Sequence, residues 1–332
     1  MATLADVARH AGVSTATASR IINGSPKPVA DALRARVLAA VAELKYVPNA
    51  HAQMLARSHR SAVGVIVHDV SDPYFAEITR GLQRVAEADG RLAIICNSYR
   101  QPDRELEYID LLHAHQVAAI VIAGSGYLDA TTAARLDDRL RAFEATGGRI
   151  AVIGRHEHTG DAVLPENEEG GFLAAAHLFE LGHASIAVIA GPTALTTTFD
   201  RLAGVRRAVR KYRQKLPKER IVHSDFTRDG GFAATERILA EFPEVTAIAA
   251  LNDSMAVGAL AALREAGRRV AVIGFDDMPI ARDVTPSLTS VRLPLTELGE
   301  RAMRLALGEA GDEPRVEHIP ASLVRRESTW AR

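Results

Sequence analysis

The sequence predicts a small all-helical head, residues 1–47, followed by an α/β body built as two similar lobes, each a doubly wound parallel sheet. Three observations predict it. Between Leu4 and Leu44 apolar residues recur at helical spacing around a glycine-marked turn. From Ser61 onward short apolar runs alternate with helical stretches, and the alternation restarts after Glu166; strands alternating with helices form parallel sheets covered on both faces. The chain has 332 residues, 47% hydrophobic and 24% charged. At ~100–200 residues per domain that is ample for more than one packed core.

In the head, Leu4, Val7, Ala8 and Ala11 define a short amphipathic helix, and Gly12 ends it. Ser14 stands where its hydroxyl can cap a second helix. There Ala18, Ile21 and Ile22 face inward, while Thr15, Ala16, Ser19 and Arg20 fall on the other side. Pro26, Lys27 and Pro28 read as a loop. Leu33, Val37, Val41 and Leu44 then form a third seam that closes a three-helix core. Helix, tight turn, helix is the helix-turn-helix arrangement.

Arg20 is of the type that pairs bidentately with guanine, and Thr15 and Ala16 are small enough to approach base edges. Thr17 and Ser19 suit phosphate contacts, which position without specifying sequence. Periodicity alone fits any small helical bundle with a surface arginine equally well. After Pro48 and Asn49, Ala50 to Arg57 is a further short helical stretch carrying Leu55. It suits minor-groove insertion beside basic residues, or an ordinary linker whose leucine packs on the next domain.

The string DVARHAGVSTATASRIINGS, followed by RVLAAVAELKYVPNAHAQMLAR, closely resembles the lactose-repressor (LacI/GalR) family of bacterial transcription regulators. The runs V-S-x-A-T-x-S-R-x-x-N and Y-x-P-N-A…LA carry the resemblance, which continues over essentially the whole chain. It implies base-reading roles for Thr15, Ala16 and Arg20, with Asn23 just past that helix. It adds Asn49 to the DNA-binding set and puts Ala52 and Leu55 on a hinge helix, the leucine levered between central base pairs of a palindromic operator. Ala18 departs from the commoner valine, which thins the head's core.

For the body the resemblance implies the periplasmic-binding-protein-like fold. The expected division is a head over 1–47, a hinge helix and linker over 48–60, a first lobe over 61–163 and 291–319, and a second lobe over 164–290 and 320–332. It further implies a repressor that acts as a homodimer, with tetramer as the alternative.

Charge distribution agrees with a DNA-reading head. Residues 1–60 hold eight Lys/Arg and three Asp/Glu, a net of +5, whereas the remainder is acidic although the whole chain is only −1. The single cysteine, Cys96, excludes an internal disulfide and a cysteine-cluster metal site. Lying in RLAIICN, it is expected as an inert, buried core thiol. Neither a spanning apolar run nor a charged-then-apolar leader is present, so a cytoplasmic protein is expected.

His113 and His115 are two apart on a helix and do not share a face. His156 and His158 fall in a loop, HExxH is absent, and no metal is expected. Gly124 and Gly126 lack the third glycine of a dinucleotide loop, and neither a P-loop lysine nor a nucleophile elbow occurs. No cofactor and no enzymatic activity are therefore expected. A sugar-binding protein of transport would need a leader and no head, the opposite of this sequence.

In open α/β sheets ligands bind beyond the carboxyl ends of the strands. Those positions hold Asp69, Asp72, Tyr74, Phe75, Ser98 and Ser125 in the first lobe. In the second they hold Thr196, Thr197, Phe199, Arg201, Phe226, Asn252, Asp253, Asp276 and Asp277. Aromatic faces with carboxylates, an amide and an arginine suit a small polar effector, sugar or nucleoside-like. By resemblance, Arg201, Asn252 and Asp276 match effector contacts, and Phe75 and Phe226 match aromatic walls; Tyr74 and Asp69 join the candidate set. Asp69 is equally well a turn-forming carboxylate, Asp253 a helix N-cap, and Asp277 a structural group. Two departures stand out: a shortened loop in EAGRRVAVIGFDD, and Pro165 and Glu166 in the LPENEEGG crossover where an aspartate is commoner.

Overall fold

The computed structural model describes residues 2–22, 29–46, 62–158, 160–309, 311 and 313–332. Asn23, Asn49, Ala52, Leu55 and the expected hinge helix lie outside the described residues. The chain divides into two compact units, Met1–Ser61 and Ala62–Arg332.

The first unit contains α1 (Leu4–His10), α2 (Thr15–Ile22) and α3 (Asp31–Glu43). Thr3 opens α1 with a capping box: its hydroxyl accepts from the Asp6 N–H while the Asp6 carboxylate accepts from the Thr3 N–H at 2.9 Å. Gly12 turns the chain at φ +62°. The Ser14 hydroxyl accepts from the Thr17 N–H at 3.1 Å and so caps α2. Val7, Ala8, Ala11, Ala18, Ile21, Val37 and Ala40 form the core. Val41 and Leu44 are only half-buried against it, so the α3 seam centres on Val37 and Ala40.

The first lobe of the second unit runs β1 (Ala62–Val67), α4 (Pro73–Ala88), β2 (Leu92–Asn97), α5 (Pro102–Ala114), β3 (Ala119–Ala123), α6 (Ala130–Glu144), β4 (Arg149–Ile153) and β5 (Asp161–Pro165). The second runs α7 (Asn167–Glu180), β6 (Ile186–Ala190), α8 (Thr196–Lys211), β7 (Ile221–His223), α9 (Arg228–Glu241), β8 (Ala247–Ala250), α10 (Asp253–Glu265), β9 (Ala271–Asp276), α11 (Ile280–Asp283) and β10 (Thr289–Arg292). The chain then re-enters the first lobe as α12 (Leu295–Leu307) and β11 (Val316–Ile319), and ends in the second sheet with β12 (Ser322–Val324).

The sheet orders are β11-β5-β4-β3-β1-β2 and β12-β10-β9-β8-β6-β7. All pairings are parallel except β12 with β10, so the second sheet is parallel with one antiparallel edge strand. Their central strands read as unbroken apolar runs because both faces are covered, as in AIVIA and IAVIA.

Three local expectations change. The stretch ending at Pro165, read as a crossover, first pairs as β5 with β4 and β11, and its Asp161 carboxylate accepts from Arg149 and Arg315 at 2.8 and 2.6 Å. Cys96 is half-buried rather than core, because β2 is an edge strand; partial burial pushes its thiol pKa up. Asp253 does not cap α10: the cap is Asn252, whose amide oxygen accepts from the Met255 N–H at 2.9 Å.

The return of α12 depends on backbone contact. A Cβ on Gly81 of α4 would lie 1.9 Å from the Thr296 carbonyl oxygen, and one on Gly299 of α12 would lie 2.0 Å from the Ile78 carbonyl oxygen. Two reciprocal glycines therefore let these helices touch, which seals the first lobe over β3, β4 and β5.

Candidate functional site: a cleft between two switch points, and an exposed helix face

Each lobe has the strand order 2-1-3-4-5, with its switch point at β1/β3 or β6/β8. The strand ends there are where ligands settle. His68, Asp72, Tyr74, Phe75, Arg100, Gly124 and Ser125 from the first lobe line a shared cavity of about 40 Å³. Thr197, Arg201, Phe226, Asn252 and Asp276 from the second complete it. That volume holds only a few waters, so a ring-sized ligand requires the lobes to part or a lining side chain to swing.

Arg201 is the anchor of the second lobe. It is buried, and each nitrogen of its guanidinium has a partner: Nε donates to Asn167 at 2.9 Å, one terminal nitrogen to the Leu251 carbonyl at 2.5 Å, the other to Asp276 at 2.8 Å. Its Cζ lies 3.8 Å from the Phe275 ring centroid. Burial raises the Asp276 pKa and the adjacent Arg201 opposes that rise. Asn252 is likewise engaged: besides capping α10, it donates to the Phe226 carbonyl at 2.9 Å, which holds Phe226 at φ +69°.

A buried polar chain backs the first lobe. The Ser125 N–H donates to His68 Nε2 at 3.3 Å, so the ring proton sits on Nδ1, 3.2 Å from the Ser98 hydroxyl. Ser98 and Tyr127 both donate to Glu105, at 3.0 and 2.8 Å. Burial lowers the His68 pKa to about 3, with Arg100 and His156 adding to the effect, so the ring is neutral. Burial also raises Glu105 to about 7, against the two hydroxyl donors.

The lobes are joined beside the cavity. Tyr127 and Leu195 form an antiparallel bridge, Ser125 donates to Thr197 at 2.7 Å, and Arg155 pairs with Asp200 at 2.7 Å.

Of the sequence candidates, Tyr74, Phe75, Arg201, Phe226, Asn252 and Asp276 come together in the cavity. Asp69 does not line it; its carboxylate accepts from the Ser71 N–H and hydroxyl at 2.9 and 2.8 Å and shapes a turn. Asp277 points away and pairs with Arg292 and Arg326 at 2.7 and 2.6 Å. Asp253 accepts from Met278 N and Ser290 Oγ at 2.7 and 2.6 Å, a structural junction. His68 and Arg100 were missed: one ends a strand run, the other lies two residues beyond Ser98.

In the head, Thr15, Ala16 and Arg20 are exposed on α2, opposite buried Ala18 and Ile21. Thr17 and Ser19 are half-buried, and the Thr17 hydroxyl lies 2.8 Å from Ser14 Oγ.

Among the described residues no group of three or more His, Cys, Asp or Glu is arranged to hold a metal, and no helix is long and apolar enough to cross a membrane.

A helix-turn-helix unit and a two-lobed body with a polar, aromatic cleft define a transcription regulator controlled by a small ligand. The comparisons place it further. Residues 3–49 match the model for "Bacterial regulatory proteins, lacI family", and residues 175–329 match a "Periplasmic binding protein-like domain". The HTH-type transcriptional regulator GalR of Salmonella typhimurium is 35% identical over 99% of this chain and 96% of its own length. The Lac repressor dimer bound to operator and the anti-inducer ONPF superposes at TM-score 0.85 with 28% identity, over 99% of both chains. A complex of the transcriptional regulator CelR with cellobiose does so at 0.73 with 31% identity, over 99% of this chain and 100% of that one. The chain belongs to the lacI family of bacterial regulatory proteins and is a DNA-binding transcription regulator.

Proposed function

We propose that the protein is a repressor that binds a palindromic operator as a homodimer and is controlled by a small polar effector, a sugar or nucleoside-like molecule, held between its lobes. Two-fold symmetry of the dimer matches two inverted half-sites. Thr15, Ala16 and Arg20 read base edges, with Asn23 beside them. Thr17 and Ser19 take phosphates, Thr17 by exchanging its Ser14 partner. Asn49 and Ala52 lead into the minor groove, where Leu55 inserts. Tyr74, Phe75, Phe226, Asn252, Arg201 and Asp276 form the effector cleft. The protein acts in the cytoplasm, where operator DNA is, through binding equilibria rather than turnover.

The observation that carries this reading is the coexistence in one chain of an exposed α2 face with Arg20 and a cleft built from both switch points. Ligand acts only through its differential affinity for the lobe arrangements, and the ordered or disordered state of the hinge reports that difference to the heads. The test is selection from a random duplex library by the full-length protein, repeated with and without compounds that raise its melting temperature in a screen of sugars and nucleosides. Inverted repeats should be enriched, and at least one stabilising compound should change their affinity. Enrichment of no sequence, or indifference of affinity to every stabilising compound, would sink it.

A further inference from the structure

The densest positive charge in the chain lies in the body. Residues 206–220 hold eight Lys/Arg and one Asp/Glu, a net of +7 against the +5 of residues 1–60. They form the last turns of α8 and the loop that leads to β7. α8 starts at the cleft, which Thr197 and Arg201 line. Its 16 residues, at ~1.5 Å each, carry the chain about 22 Å away, to the opposite end of the second lobe.

Most of this charge is not used by the fold. Arg207 pairs with Glu168 and Glu169, and Arg220 with Glu244. Arg206, Arg210, Lys211, Arg213, Lys215 and Lys218 are exposed, and none of them makes an ion pair among the described residues. Arg210 and Lys211 offset the negative end of α8, but the dipole's influence fades past the last turn. Arg213, Lys215 and Lys218 lie beyond it. Arg213 also takes the left-handed backbone that follows the helix, at φ +53°. Gly90, Gly182 and Gly267 fill the equivalent place after α4, α7 and α10. Glycine adopts that conformation without strain, so a cation is kept here against the backbone's preference.

The patch has no apolar centre. None of the large exposed hydrophobic side chains falls within residues 206–220. Protein interfaces gather aromatic side chains at their core and are depleted in lysine. Helices that lie on membranes insert an apolar face. A phosphodiester backbone asks for cations alone.

We propose that this end of the second lobe is a second, sequence-independent binding surface for duplex DNA, with the six exposed cations on its phosphates. Duplex is the polyanion that a DNA-binding regulator already meets, and phosphate contacts need no base sequence. The regulator then holds DNA at two places, through its helix-turn-helix head and through its second lobe.

The test is photo-cross-linking of the full-length protein to a labelled random-sequence duplex, so it requires neither an operator nor an effector. Cys96→Ser removes the single native thiol, and a photoreactive group is attached at one introduced cysteine. Lys215→Cys places it in the patch, and Glu107→Cys places it on exposed α5 of the first lobe. Lys215→Cys should cross-link and Glu107→Cys should not. Between about 50 and 200 mM salt, affinity read at position 215 should weaken about 40- to 500-fold, the drop for roughly three to five neutralised phosphates. Adding Arg206→Gln, Arg210→Gln, Arg213→Gln and Lys218→Gln together should abolish that cross-link. Arg206→Lys, Arg210→Lys, Arg213→Lys and Lys218→Arg, which keep the charge, should preserve it.

No cross-link at position 215 overturns the proposal, as does one that survives the four glutamines or is lost with the charge kept. Equal cross-linking at position 107 overturns it too, since contact would then be indiscriminate. If poly-L-glutamate displaces the duplex from position 215 at equal charge concentration, the surface belongs to an acidic protein segment and the DNA assignment falls. It falls equally if phosphatidylserine vesicles bind the wild type and not the four-glutamine variant while no duplex cross-links.

Discussion

Asp276 has two jobs. It is a cleft residue, and it is also the carboxylate partner of a buried arginine that ties α8, α7 and the end of β8 together. Removing one partner of a buried ion pair leaves the other charge uncompensated, at a cost of about 3–5 kcal/mol. Asp276→Ala should therefore lower stability by that order in denaturant titration. Asp276→Asn keeps an oxygen that accepts from Arg201 and should cost clearly less, while losing about 10- to 100-fold in response to a stabilising sugar. Equal stability losses in the two variants would show that the Arg201 bond is not what Asp276 contributes.

Glu105 gives a pH prediction. Burial pushes its folded pKa up to about 7, above the ordinary value of 4.5. Between those values the folded state holds a proton that the unfolded state has released, so the associated stability is complete below pH 4.5 and lost as pH rises through 7. Glu105→Gln has no such loss. Relative to it, the wild type should weaken by on the order of 3 kcal/mol between pH 4.5 and 8. His68 runs the opposite way, its neutral form stabilising above pH 6.5 and losing that as pH falls through about 3, but it is present in both proteins. A stability gap that does not change with pH would remove Glu105 from the titration.

At the scale of elements, periodicity located the helices and strands because each apolar face had one obvious place to go. AIVIA and IAVIA could hardly be anything but covered strands. What stayed illegible depended on partners far away in sequence. β5 pairs with nearby β4 on one side, but its other edge is covered only by β11, which returns some 150 residues later. Asn252 and Asp253 are adjacent and both suited to capping; which one caps depends on Ser290 and Met278, which claim the Asp253 carboxylate. Arg100 gave no signal, since its place in the cleft rests on the left-handed backbones of Tyr99 and Arg100, which non-glycine sequence does not announce. The α4–α12 contact gives a direct check. Gly81→Ala places a methyl carbon against the Thr296 carbonyl oxygen. The helices must separate, and overpacking of this kind costs about 1–3 kcal/mol. Thermal melts showing an unchanged or raised midpoint would mean that the crossing has slack which the glycine pair argues against.

On the scale of the whole molecule, charge separates reading from sensing. Residues 1–60 carry eight Lys/Arg against three Asp/Glu, in a chain whose overall charge is −1. Phosphate contacts from such a head release counterions, so log affinity should fall linearly with log salt at about −0.9 per phosphate neutralised. Arg20 adds a finer distinction. It is exposed on α2 beside Ala16, so Arg20→Ala should remove a base contact worth about 1–3 kcal/mol on the selected palindrome. On random duplex the same variant should lose much less, and in either case the salt slope should fall by no more than about 1, because most phosphate contacts lie elsewhere. Titrations of both duplexes from about 50 to 200 mM salt distinguish the possibilities. A flat plot for wild type would remove phosphate neutralisation as the source of binding. A steep plot with equal losses on palindrome and random duplex would leave the head electrostatic and take Arg20 out of base reading. Preferential loss on the palindrome, with the slope nearly kept, would give Arg20 the role that its place on α2 suggests.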